Sequence, residues 1–98
     1  MAAESALAPG GTLGILGGGQ LGRMLAMAAA RLGIKCHVYC PDKGSPAFDV
    51  ASAHTLAAYD DEDALARFAD AVDRITYEFE NVPAATAEFL AARKPVHP

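Results

Sequence analysis

Gly14–Met24 reads GILGGGQLGRM: an apolar run that ends in three consecutive glycines, with another glycine, Gly22, three residues after the last of them as a helical pattern begins. Gly17, Gly19 and Gly22 fit the spacing G-x-G-x-x-G. In that pattern glycine serves a tight turn, close approach of a ligand to backbone, and close packing of helix on strand. The N-terminus of the following helix offers N–H groups and a partial positive charge. The alternative is that the glycines only permit a sharp strand-to-helix turn. Both readings require a strand before the loop and a helix after it.

The flanking sequence supplies both. Thr12–Leu16 reads as a strand, and Leu21, Met24, Leu25, Ala28 and Leu32 recur at helical spacing, which predicts that they form the buried stripe, with Gly33 as the stop. Asp60, Asp61, Glu62 and Asp63 supply a cap and first-turn negative charge for a second helix with Leu65, Phe68, Ala69 and Val72 buried. Pro83 opens a third helix, where its missing N–H costs nothing, with Val82, Thr86, Phe89 and Leu90 on one face. Further strands are expected at Lys35–Cys40, at His54–Ala57, at Arg74–Phe79 and at Val96. PDKGSPAFDVASA carries turn residues and reads as a loop with at most one helical turn.

Strands that alternate with helices imply an α/β fold with a parallel sheet covered on both faces. Right-handed crossovers reduce this to a Rossmann-like half with strand order 3-2-1-4. The chain winds one way from the first strand to the third and the other way to the fourth. Ligands bind such sheets beyond the carboxyl ends of the two central strands. Two segments meet there, GGGQLG and YEFEN (Tyr77–Asn81), the second bringing Glu78, Glu80 and Asn81. For Glu80 and Asn81 the alternative is an exposed residue and a helix-cap neighbour. For NAD, an acid should end the second strand, yet Cys40 holds that place and Asp42 follows beyond a proline, which weakens the dinucleotide reading. Two acids beside the loop would repel a pyrophosphate but could accept hydrogen bonds from ribose hydroxyls or an amine.

Composition sets limits. The chain has 98 residues, enough for one domain that buries roughly two thirds of its unfolded surface. Its 12 acidic and 8 basic residues give a net charge of -4 with no basic cluster, which argues against nucleic acid. No apolar stretch approaches the ~20 residues that span a bilayer, and the segment before Gly10 has no positive n-region, so a cytoplasmic protein is expected. Cys36 and Cys40 would lie roughly 13 Å apart on one face of a strand, too far for a disulfide, and read as buried thiols. Neither His37 nor His54 has a partner at metal-ligand spacing.

GILGGGQLGRMLAMAAARLG, YDDEDAL and ITYEFENVP, in this order and at these separations, resemble the N-terminal domain of the N5-carboxyaminoimidazole ribonucleotide synthetases, members of the ATP-grasp superfamily. The resemblance runs from Thr12 to Pro98 and leaves residues 1–11 as a flexible leader. It implies that the Rossmann-like half is a pre-ATP-grasp domain. It further implies a reaction in which ATP and bicarbonate give carboxyphosphate, whose carboxyl group passes to the exocyclic amine of 5-aminoimidazole ribonucleotide.

By the same resemblance, ATP and Mg2+ are held by later lobes that this chain lacks, so the chain carries no catalytic, cofactor-binding or metal residues and is inactive alone. The full-length enzyme is expected to be a homodimer. One wall of the ribonucleotide pocket falls to Gly18, Gly19, Gln20, Leu21, Glu78 and Asn81, with Glu78 on the ribose hydroxyls. A helix N-terminus alone would draw the substrate phosphate to the loop, whereas the family places it on basic residues of the later lobes. RKPVHP after a short last strand suggests a cut at a domain boundary. The competing function is a free-standing nucleotide- or dinucleotide-binding module.

Overall fold

A computed structural model describes residues 10–77 and 82–97. The elements follow in the order β1 (Thr12–Leu16), α1 (Gln20–Arg31), β2 (Lys35–Cys40), a 3-10 turn (Pro46–Asp49), β3 (Ala53–Leu56), α2 (Glu62–Ala71), β4 (Arg74–Tyr77), α3 (Ala84–Ala91) and β5 (Val96–His97). The strands form one parallel sheet in the order β3-β2-β1-β4-β5, as alternation and handedness predict, with β5 added at the edge. Most of the expected leader lies outside the described residues. Gly10 is tied to the turn after α1, its N–H donating to the Gly33 carbonyl (2.8 Å), and Gly11 to β2, its carbonyl accepting the Lys35 N–H (2.9 Å).

Side chains alternate across the sheet and build two cores. Leu16, Tyr39 and Ile75 pack under α2 and α3 with Leu65, Phe68, Ala69, Val72 and Leu90. Ile15, Cys36, Val38 and Cys40 pack on the other face under Ala26, Ala29 and Ala47. Both cysteines are buried free thiols, as their strand position predicts, and burial pushes the Cys36 thiol above its usual pKa. Gly14 leaves room for Phe68, since a Cβ there would come within 2.6 Å of Phe68 Cζ.

The second helix forms as its sequence dictates. Asp61 caps α2, accepting a hydrogen bond from Ala64 N–H at 3.1 Å, and Glu62 and Asp63 occupy the first turn. At its far end Lys94 supplies what α2 lacks, donating from Nζ to the carbonyls of Ala69 (2.7 Å) and Val72 (2.6 Å). Pro83 sits one position before α3, at its N-cap, and Thr86 Oγ1 donates to the Tyr59 carbonyl at 2.7 Å, joining α3 to the β3–α2 loop.

One expectation for α1 is overturned. Its buried residues are Gly22, Ala26 and Ala29, whereas Leu21 (53% exposed), Met24 (63%) and Leu32 (68%) face outward; Ala28 is also exposed and Leu25 is half-buried. The cause is distance. The first turn of α1 folds back on the loop that precedes it, so a Cβ on Gly22 would lie 2.6 Å from the Gly17 carbonyl oxygen. At Gly22 no side chain fits that gap, and Ala26 and Ala29 pack on the core of this face with Leu25 half-buried against it.

Candidate functional site

β1 ends at Leu16, and the chain must reverse at once to start α1. Gly17 makes that turn with φ 106°, in the left-handed region that favours glycine, and its N–H donates to the Tyr39 carbonyl at 2.9 Å. Gly19 is the N-cap of α1, with extended backbone, and its carbonyl accepts the Arg23 N–H at 3.0 Å. No side chain caps this helix end, and no acidic residue stands in its first turn. Backbone N–H groups at the start of α1 are thus aimed outward in a partly positive setting, beyond the carboxyl end of a central strand.

A cavity of about 420 Å³ opens beside this loop, lined by Gly17, Gly18, Gly19, Cys40, Pro41, Asp42 and Tyr59. Its walls are the glycine loop on one side and the segments that follow β2 and β3 on the other. Tyr59 comes from the β3–α2 loop and stacks against Tyr39 with ring centroids 6.1 Å apart. Tyr39 itself is fully buried and donates its hydroxyl to the Ala58 carbonyl at 2.5 Å, which ties that loop to the core. Burial, then the nearby charges of Asp61 and Asp60, push the Tyr39 phenol up to about 12, so it stays neutral and keeps that bond.

The residues singled out from the sequence occupy different places. Gly18 and Gly19 line the cavity, Gln20 and Leu21 are exposed at the first turn of α1, and Glu78, Glu80 and Asn81 lie outside the described residues. Gly18 is buried with its open side against another segment: a Cβ there would meet Ser45 Cβ at 2.5 Å, Ser45 Oγ at 2.6 Å and Cys40 Sγ at 3.1 Å. Its carbonyl accepts the Ala47 N–H at 3.0 Å. Ser45, Ala47 and Tyr59 were not legible as parts of the site, because the sequence marks 41–53 only as a loop and Tyr59 only as a residue before a helix. The small residues of GSPA, placed just after the second strand, are the signal that points to a close approach.

The described residues contain no group of three or more His, Cys, Asp or Glu side chains arranged to hold a metal ion, and no helix long and apolar enough to cross a membrane. The loop also lacks the lysine that a P-loop sets on nucleotide phosphates.

Residues 11–98 match the family model for the ribonucleotide synthetase preATP-grasp domain. The N5-carboxyaminoimidazole ribonucleotide synthase of Brucella melitensis is 58% identical over 88 residues, a match that covers 90% of this chain and 24% of that protein. The solved N5-carboxyaminoimidazole ribonucleotide synthetase of Thermus thermophilus superposes with a TM-score of 0.82 at 45% identity, over 88% of this chain and 24% of its own. The Aspergillus clavatus N5-carboxyaminoimidazole synthase, solved in complex with ADP and 5-aminoimidazole ribonucleotide, superposes with a TM-score of 0.78 at 32% identity, over 94% of this chain and 25% of its own. This chain spans about a quarter of the length of these relatives. A match that runs through every described strand and helix places the glycine loop in its family setting: the chain belongs to the ribonucleotide synthetase preATP-grasp domain family.

Proposed function

We propose that this chain is the N-terminal domain of an ATP-dependent ligase that joins bicarbonate to the exocyclic amine of 5-aminoimidazole ribonucleotide in purine biosynthesis, releasing ADP and phosphate. Its own share is one wall of the ribonucleotide pocket. The observation that carries this reading is the glycine loop itself, an uncapped helix start beyond the carboxyl end of β1 with no room for side chains at Gly18 or Gly22. In this reading the backbone of Gly18 and Gly19 faces the substrate, Gly19 allowing its close approach, and Gln20 and Leu21 present N–H groups to it. Glu78 accepts hydrogen bonds from the ribose hydroxyls, with Asn81 beside it. Residues 12–98 form the domain and 1–11 precede it. ATP and Mg2+ belong to later lobes, and no step in this domain runs through them. The assembled enzyme is a cytoplasmic homodimer that binds neither nucleic acid nor membrane.

The test is Glu78→Ala in the full-length enzyme that carries this domain. A charge-assisted hydrogen bond of about 1.5–3 kcal/mol predicts a roughly tenfold to hundredfold loss of kcat/KM for the ribonucleotide, with the KM for ATP held. Unchanged ribonucleotide kinetics in a folded variant would refute the assignment. A second reading, a free-standing nucleotide- or dinucleotide-binding module, draws on one observation, that Asp42 lines the cavity just past β2. Saturable binding of NAD to the 98-residue chain would favour it.

A further inference from the structure

Between β2 and β3 the chain makes no strand or long helix, yet part of it is as buried as the core. Ser45 is 6% exposed and Ala47 is fully buried. Ser45 Oγ donates to the Asp42 carbonyl at 2.6 Å and lies 3.1 Å from Cys40 Sγ, which fixes the turn Asp42–Ser45 against the end of β2. The Phe48 N–H returns to the Ser45 carbonyl at 3.1 Å and begins the 3-10 turn. Two contacts then reach across to the glycine loop. The side chain of Ser45 fills the space a Cβ of Gly18 would need, and Ala47 N–H holds the Gly18 carbonyl at 3.0 Å. The methyl group of Ala47 also lies 3.6 Å from where a Cβ of Gly22 would stand.

The glycine loop is therefore held at two successive residues. Gly17 N–H is held by the carbonyl of Tyr39 in β2, and Gly18 by the segment that β2 leads into. Glycine has the most backbone freedom to lose, so three in a row would sample many conformations without such restraint. We propose that Ser45 is a positioning residue: it sets the glycine loop in the one conformation that receives the substrate, by filling the space beneath Gly18 and anchoring the turn whose Ala47 N–H holds the Gly18 carbonyl. Ser45 touches no substrate in this account and acts through the loop. The inference rests on the proposal that the loop lines the ribonucleotide pocket.

The experiment is a pair of compensating substitutions in the full-length enzyme that carries this domain. Gly18→Ala drives a methyl group into Ser45 and should raise the KM for 5-aminoimidazole ribonucleotide by about tenfold, with kcat and the KM for ATP within about twofold. Adding Ser45→Gly reopens the space, and Gly18→Ala with Ser45→Gly should return to within about threefold of Ser45→Gly alone. Failure of the second change to recover the first overturns the role of Ser45. Recovery in which both KM values had moved together supports the positioning role and refutes the ribonucleotide reading instead. A second measurement covers loss of folding by Gly18→Ala. In the 98-residue chain, Ser45→Ala should speed amide exchange at Gly17 and Ala47 by about tenfold and leave α2 unchanged. Unchanged exchange at Gly17 and Ala47 overturns the proposal.

Discussion

Gly22→Ala sets two effects of known sign against each other. Alanine is favoured over glycine inside a helix by about 1 kcal/mol, so in a freely exposed helix the change would stabilise. Here the new Cβ would stand 2.6 Å from the Gly17 carbonyl oxygen, a backbone atom that cannot swing aside as a side chain would. Gly17 is itself restrained by its N–H bond to Tyr39. Overpacking of this kind costs about 1–3 kcal/mol, so the clash outweighs the propensity and the net loss is about 1 kcal/mol. For a domain of this size that lowers Tm by roughly 4–8 °C. Ala30→Gly, on the exposed side of the same helix, calibrates the propensity term alone. Thermal unfolding of the three proteins, followed by circular dichroism, gives the comparison. A Gly22→Ala protein more stable than the parent would refute the claim that Gly22 is kept by the closeness of α1 to its own loop.

Two further outcomes follow from the packing. Lys94→Met removes both hydrogen bonds from Nζ to the carbonyls at the C-terminal end of α2 and should cost about 1–2 kcal/mol, read as a fall in Tm, with an unchanged Tm counting against the cap. His37 shares a 2.7 Å hydrogen bond with Thr55 Oγ1 and meets the Phe68 ring edge-on at 5.2 Å. Burial, then the charge of His54, lower its pKa below the usual 6.5. The unfolded chain then binds the proton more readily than the folded one, so stability is complete above about pH 6.5 and falls as the pH drops below it towards the lowered value. His37→Gln should flatten that part of the pH–stability profile, and an unaltered profile would contradict the assignment.

β1, β2 and β4 were legible because each is a short run with apolar or β-branched residues closed by a glycine, a proline or an acidic residue, and the alternation with helices then left few topologies, whereas β3, AHTL, is short and mostly exposed. α2 was legible to its cap, since Asp61 and the stripe at Leu65, Phe68 and Ala69 act locally. α1 misled for a physical reason. Hydrophobic periodicity reports which side chains prefer burial, whereas the residues of α1 that the core takes are Gly22, Ala26 and Ala29 with Leu25 half-buried beside them, so Leu21, Met24 and Leu32 were left outside. The loop was found from its spacing, but its grip by Ser45 and Ala47 depends on contacts between segments far apart in sequence, which no local pattern encodes. Thr86 was placed on the correct face by its spacing, while its bond to the Tyr59 carbonyl is tertiary and had no local signal.

The most direct test of the glycine loop as the ribonucleotide side of the enzyme is Gly19→Val, assayed by initial rates with each substrate varied in turn. Gly19 is the N-cap of α1 and lines the cavity, so a branched side chain would stand between ligand and backbone. In the full-length enzyme that carries this domain, the KM for 5-aminoimidazole ribonucleotide should rise by about tenfold or more, while the KM for ATP stays within about twofold. Equal losses for the two substrates, or a loss confined to ATP, would contradict the account.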